Sequence, residues 1–287
     1  MFKKTNRLLF ATLVTVVAIL GACNSQHHEK GDTLSLVKQS AARLERALNQ
    51  DGVRLKWDSA VIANAENPGV YGVKVPTSDG NTGIVAAVND GEIVALSLVT
   101  RSSEDTDTYV LDVFRGRIVR VQGAGEPPQI QIPDEELVLH DLPWLSHTLH
   151  YVRSVQDPFA SIDSYRFVQE ALGQGVVPLS CGPSDAPMYQ RMLDAVDDYE
   201  AASDAYDWAV RKAEAAAATA WYACAMCPET VVVCVGCAVA LGTAARLAAV
   251  AHHKGVLKRR AGDKVRNLAQ QVSIWVRDHC SCPGNGG

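Results

Sequence analysis

The sequence predicts an α+β protein: a small antiparallel β-sheet with a packed helix, followed by an α-helical, disulfide-stapled C-terminal domain. Three observations predict it. Between residues 70 and 121, short apolar runs recur with turn residues between them, as in an antiparallel sheet. From residue 187 the chain becomes alanine-rich and strongly helix-forming. Seven of the eight cysteines lie at or beyond Cys181, four of them as two C-x2-C pairs. With 287 residues, 47% of them apolar, the chain can build a core and is too hydrophobic to be disordered. Its formal charge of -5 lacks the basic excess of a nucleic-acid binder, and no nucleic-acid partner is expected.

The N-terminus reads as an export signal. Lys3, Lys4 and Arg7 precede an uncharged apolar run from Leu8 to Leu20, and small residues then lead to Cys23 in Leu20-Gly21-Ala22-Cys23. The segment resembles a bacterial lipoprotein signal with its lipobox. That resemblance implies removal of residues 1–22, diacylation of the Cys23 thiol and acylation of the new amine, with palmitate among the acyl groups. It places the mature protein in the bacterial cell envelope, with its membrane contact through the lipid on Cys23. Asn24 after the cysteine favours the outer membrane of a Gram-negative cell. Three acyl chains exceed the two signals that stable anchoring requires. Residues 23–32 are a polar tether carrying His27 and His28.

A β-rich α+β domain is expected over 33–125. Asp32 and Thr33 read as the cap of a helix whose apolar face carries Leu34, Val37, Ala41, Leu44 and Leu48. Five strands follow: 70–75, 83–88, 93–99, 109–114 and 118–121. Asn89-Asp90-Gly91 supplies a hairpin turn between the second and third. Glu104, Asp105 and Asp107 share a loop without the ligand spacing of a calcium site. Residues 126–186 form a linker and a mixed helix–loop region. His140, His147 and His150 are its metal candidates, but Leu142-Pro143-Trp144 breaks their spacing. The chain has no Gly-x-Ser-x-Gly elbow, phosphate-cradling loop or His-Glu-x-x-His helix, so no enzyme activity and no cofactor are expected.

Residues 187–287 form the cysteine-bearing helical domain. A first helix runs from Met188 to Ala223, with Asp194, Asp197, Asp198, Glu200, Asp204 and Asp207 read as complements to its positive N-terminal end. It leads into Cys224 and Cys227. Pro228 turns the chain, and Cys234 and Cys237 follow in the uncharged segment 230–245. On helices, each pair places both sulfurs on one face, and an antiparallel hairpin then suits nested disulfides, Cys224–Cys237 and Cys227–Cys234. An oxidising compartment favours that reading. Four thiolates holding zinc or iron are the alternative, and free thiols a third. Residues 231–251 read as a buried core helix or, less well, a membrane span. A basic stretch follows, then a last helix from Asp263 to His279. Cys280 and Cys282 close the chain as further disulfide candidates, with Cys181 one partner for them.

Charge divides with the domains. Residues 224–287 hold eight Lys+Arg against three Asp+Glu, whereas residues 23–223 hold sixteen against twenty-nine. The C-terminal region resembles the cysteine-rich domain of halocin-like and fulvocin-related bacteriocin precursors. Cys224, Cys227, Cys234 and Cys237 carry the resemblance, with Cys280 and Cys282 near the end, over about 60 residues. It implies a membrane-active C-terminal peptide behind an acidic protective portion. This chain departs from that pattern in having fewer cysteines, none of them between Cys237 and Cys280, a basic stretch there and a lipoprotein signal. The expected function is a non-enzymatic envelope lipoprotein, a binding or structural module contacting an envelope protein or anionic lipid. A bacteriocin-like precursor is the alternative, and a periplasmic metal or thiol-redox protein using the four helical cysteines a weaker one.

Overall fold

A computed structural model describes residues 31–65, 67–101, 107–122, 129–155, 157, 159, 168, 182–225 and 235–280. The signal, Cys23, His27, His28, Glu104, Asp105, Cys181, Cys227, Pro228, Cys234 and Cys282 lie outside them.

The fold is α+β, centred on seven antiparallel strands paired in sequence order. They are β1 (Val61–Asn64), β2 (Val70–Pro76), β3 (Thr82–Asn89), β4 (Glu92–Arg101), β5 (Thr108–Asp112), β6 (Arg117–Gln122) and β7 (Gln129–Gln131). The five expected strands are β2 to β6, and β1 and β7 extend the sheet at its two edges. The β3–β4 hairpin turns on Asp90 and Gly91, both at positive φ (50° and 78°), between the paired Asn89 and Glu92. That geometry is what an Asp-Gly turn supplies.

One face of the sheet is covered by a helix over residues 31–50, α1, together with α2 (Glu135–Asp141) and α3 (Ser146–Ser154). Val37, Ala41, Leu44 and Leu48 of α1 are fully buried against Val73, Ile84, Leu96 and Leu98. Asp32 and Thr33 lie inside α1 rather than capping it, because residue 31 is already helical.

The opposite face is also covered. Helix α4 (Tyr189–Ala225) and helix α5 (Val235–His279) form a long antiparallel hairpin. Their proximal halves bury Trp221, Leu241 and Ala244 against Val85, Val99, Val110 and Val119. The molecule is therefore three-layered, and the helical residues of 187–287 share a core with the β-rich segment. Double coverage explains β3, in which every residue from Thr82 to Val88 is buried. A strand facing water on one side would alternate instead. From Val235 onward, the uncharged segment and the last expected helix are one 45-residue helix, since the basic stretch between them continues it without a break.

Beyond the sheet, the distal halves of α4 and α5 pack mainly on each other. Met192, Ala195 and Tyr199 meet Val265, Ala269 and Val272 there. The acidic residues of α4 correct the dipole reading. None lies in the first turn, where the helix dipole acts. Asp198 instead pairs across the hairpin with Lys264 at 2.9 Å.

Candidate functional surface: the stapled hairpin

The two helices approach the sheet closely because both sides present small residues. A Cβ on Gly83 would run into the Trp221 ring, and one on Gly72 would lie 2.5 Å from the carbonyl oxygen of Leu241. Alanines at 217, 218, 220, 244, 245 and 248 keep the helical side equally flat. Where α4 runs into the turn, Cys224 is disulfide-bonded to Cys237 at the start of α5. This is the outer bond of the expected nested pair; Cys227 and Cys234 lie outside the described residues. The bond removes two of the four thiolates that the metal alternative requires. Cys280 is also disulfide-bonded. The Cys224–Cys237 bond joins residues 13 apart. Replacing both cysteines with serine is expected to cost about 3 kcal/mol, from the loop-entropy gain of the unfolded chain. Urea unfolding of the oxidised protein and the variant measures the difference.

Polar groups lock the hairpin to the sheet. Arg117 on β6 donates through Nη2 to both carboxylate oxygens of Glu214 on α4, at 2.8 and 2.9 Å. Glu214 is only 3% exposed. Burial raises its pKa to about 7 against the opposing pull of Arg117. One turn from the end of β5, Arg115 donates to Asp112 and, through Nε and Nη2, to Tyr206 Oη at 3.0 and 2.6 Å. Tyr206 in turn donates to Asp157 at 3.1 Å. Burial opposes the Arg115 charge, but Asp112, Tyr206 and Asp157 outweigh it and hold its pKa above the ordinary range. Burial also raises the Tyr206 pKa. Between this network and the alanines lies a cavity of about 20 Å3, room for about one water.

Lys74 on β2 is 8% exposed and holds its ammonium 4.3 Å from the Trp221 ring centroid. Burial lowers its pKa to about 8. A cation over an indole face is attracted by the ring quadrupole, which offsets part of its desolvation.

No protein-family model, curated protein or solved structure matches this chain.

The side of the hairpin away from the sheet is exposed. On α5, Val235, Val239, Val250 and Leu257 are 77, 62, 45 and 37% exposed, and their spacing of four, eleven and seven keeps them on one stripe. On α4, Trp208 is 59% exposed with the Lys212 ammonium 3.4 Å from its ring centroid, whereas Tyr222 lies at the flank of the sheet under Arg101 of β4. Helix α5 is the one described helix long and apolar enough to cross a membrane, with a mean hydropathy of 1.5 over its best 18 residues. Its inner side is occupied by the sheet and α4. At the distal end, an open groove of about 660 Å3 mixes Arg191, Arg260 and Lys264 with Asp194 and Asp263, which gives it no single charge to offer a ligand.

The metal candidates are not brought together. His147 Nδ1 lies 2.6 Å from Asp51 and His140 Nδ1 3.4 Å from Asp141. No group of three metal-capable side chains occurs among the described residues. Asp107 is buried in an ion pair with Arg120 at 2.6 Å. Sequence reasoning missed Arg117–Glu214 and the Arg115 cluster. The available signal was Glu214 itself, the one carboxylate between Trp208 and Ala225.

Proposed function

We propose that the protein is a non-enzymatic, lipid-anchored module of the bacterial cell envelope that displays the outer side of its helical hairpin as a binding surface. One observation carries the display reading. The hairpin is fixed by the Cys224–Cys237 bond and by burial of its inner side, while aliphatic side chains of α5 and Trp208 of α4 are left exposed. Titratable groups that gather in the fold, such as Glu214 and Asp112, are held in ion pairs rather than offered to a substrate. The anchor rests on the signal ending at Cys23.

The bacteriocin-like alternative requires residues 187–287 to leave the sheet, which would expose Trp221 and Leu241 together with the strand face beneath them. The shared core favours the module. The anchor is tested by expressing Cys23→Ser in a bacterial host. The variant is expected to lose the acyl mass and to leave the membrane fraction. An unchanged mature mass and unchanged fractionation would reject lipid attachment.

A further inference from the structure

We propose that the outer side of the proximal hairpin docks on an anionic lipid bilayer. This deepens the display reading, on which it rests, and does not depend on the acyl anchor.

The charge distribution carries the proposal. Across Trp208–Ala225 and Val235–Leu257, which bound the stripe, the sequence contains four Lys or Arg (Arg211, Lys212, Arg246 and Lys254) and a single Asp or Glu. That single acid is Glu214, which is turned inward and paired with Arg117. These two helical segments therefore present cations and no carboxylate to solvent. Such a surface repels other cations and attracts a surface of fixed negative charge. The strongly acidic part of α4 begins only at Asp207 and runs distally, where Lys264 on the facing helix answers it.

The apolar pattern selects a bilayer from among polyanions. Val235, Val239, Val250 and Leu257 mark one side of α5 over about 33 Å, from 22 residues at 1.5 Å each, with the exposed Thr243, Arg246 and His253 between them. On α4, Trp208 is exposed beside Lys212. A nucleic acid or an acidic protein segment gives the cations partners but leaves these aliphatic side chains, interleaved with the cations, unburied. The interface of an anionic bilayer takes both: headgroups meet the cations, and the acyl boundary takes the aliphatic side chains and the Trp208 ring. The disulfide and the sheet hold the helices in place, so the surface is presented without an ordering cost on docking.

Co-sedimentation tests it, using the chain from residue 24 onward, which keeps every described residue and carries no acyl group. The probes are phosphatidylcholine vesicles with and without a phosphatidylglycerol fraction, at low salt. Binding is expected to the anionic vesicles alone and to weaken as salt is added. The triple variant Arg211→Gln, Lys212→Gln, Lys254→Gln is expected to lose about 100-fold in partitioning, at about fivefold for each cation near the surface. Val250→Asp should also weaken binding by placing a charge among the aliphatic side chains. Arg43→Gln with Arg46→Gln, on α1 in the opposite layer, should leave binding unchanged. Unaltered circular dichroism confirms that each variant is folded. The proposal is overturned by absent or equal binding to both vesicle types, by a triple variant that binds as well as the parent, or by an equal loss in the α1 control. Capture by heparin without capture by anionic vesicles would also overturn it, in favour of a polyanion partner. None of these outcomes bears on Cys23, whose test reads mass and fractionation.

Discussion

Trp221→Ala is expected to destabilise the protein by about 3–5 kcal/mol, the range for deleting a buried tryptophan and leaving a cavity. The indole is 3% exposed and wedged between the hairpin and the sheet. Gly83 lies against its ring on one side, and the Lys74 ammonium sits 4.3 Å from the ring centroid on another. Neither neighbour can close the gap: glycine has no side chain to move in, and the lysine loses its aromatic partner. Gly83→Ala is destabilising for the converse reason, since its Cβ meets the ring and lies 2.5 Å from the Val75 carbonyl oxygen. A double-mutant cycle should return a coupling of about 1 kcal/mol, because removing the indole relieves part of that clash. Strict additivity would show that the two residues do not meet as described. Chemical denaturation of the four proteins supplies every number required.

The second large effect is a dependence of stability on pH with two opposite limbs. Glu214 has a folded pKa of about 7, raised from 4.5, so the native state holds its proton more tightly than the unfolded chain does. Its contribution is fully present below the unfolded value and is lost as pH rises through the folded one. Stability is therefore expected to fall by about 3 kcal/mol from this group between pH 4.5 and 7. Lys74 behaves oppositely. Its pKa is lowered from 10.5 to about 8, so the native state binds its proton less tightly and gains stability as pH rises across that window. Glu214→Gln should flatten the first limb and leave the second; Lys74→Met should do the reverse. Arg117→Gln should cost more at pH 8 than at pH 5, because at the lower pH the unpaired carboxyl takes up a proton instead of standing charged in the interior. Thermal melts across this range, with a Glu214→Gln curve parallel to the parent, would sink the assignment.

Much of the sheet was legible because its signals are local. Asn89-Asp90-Gly91 supplies its own hairpin, and β2 to β6 carry enough apolar residues to be read individually. The two edge strands escaped: β7 is Gln-Ile-Gln, and β1 is four residues long. The helical hairpin was legible from alanine content and the helix-breaking Pro228 in the sequence, and the Cys224–Cys237 pairing followed from helical spacing. Its docking on the sheet was not read, although β3 held the clue. A run without alternation from Gly83 to Val88 belongs to a strand buried on both faces. The polar locks were less accessible, because Arg117 and Glu214 are 97 residues apart and Arg115 and Tyr206 are 91 apart. No short-range pattern announces such pairs. The acidic residues of α4 misled for a similar reason, since the cation answering Asp198 is on the other helix.

The sheet's second cover comes from the last hundred residues, and this sets an order on folding. Until α4 and α5 are available, β3 to β6 present Val85, Val99, Val110 and Val119 to water as a continuous sticky plane. A chain emerging N-terminus first can seat α1 early but cannot shield that plane until residue 221 and then residue 241 have followed. Fragments ending before residue 189 should consequently aggregate instead of persisting as small stable domains. The same plane makes proteolytic loss of the hairpin a one-way event for the remaining chain.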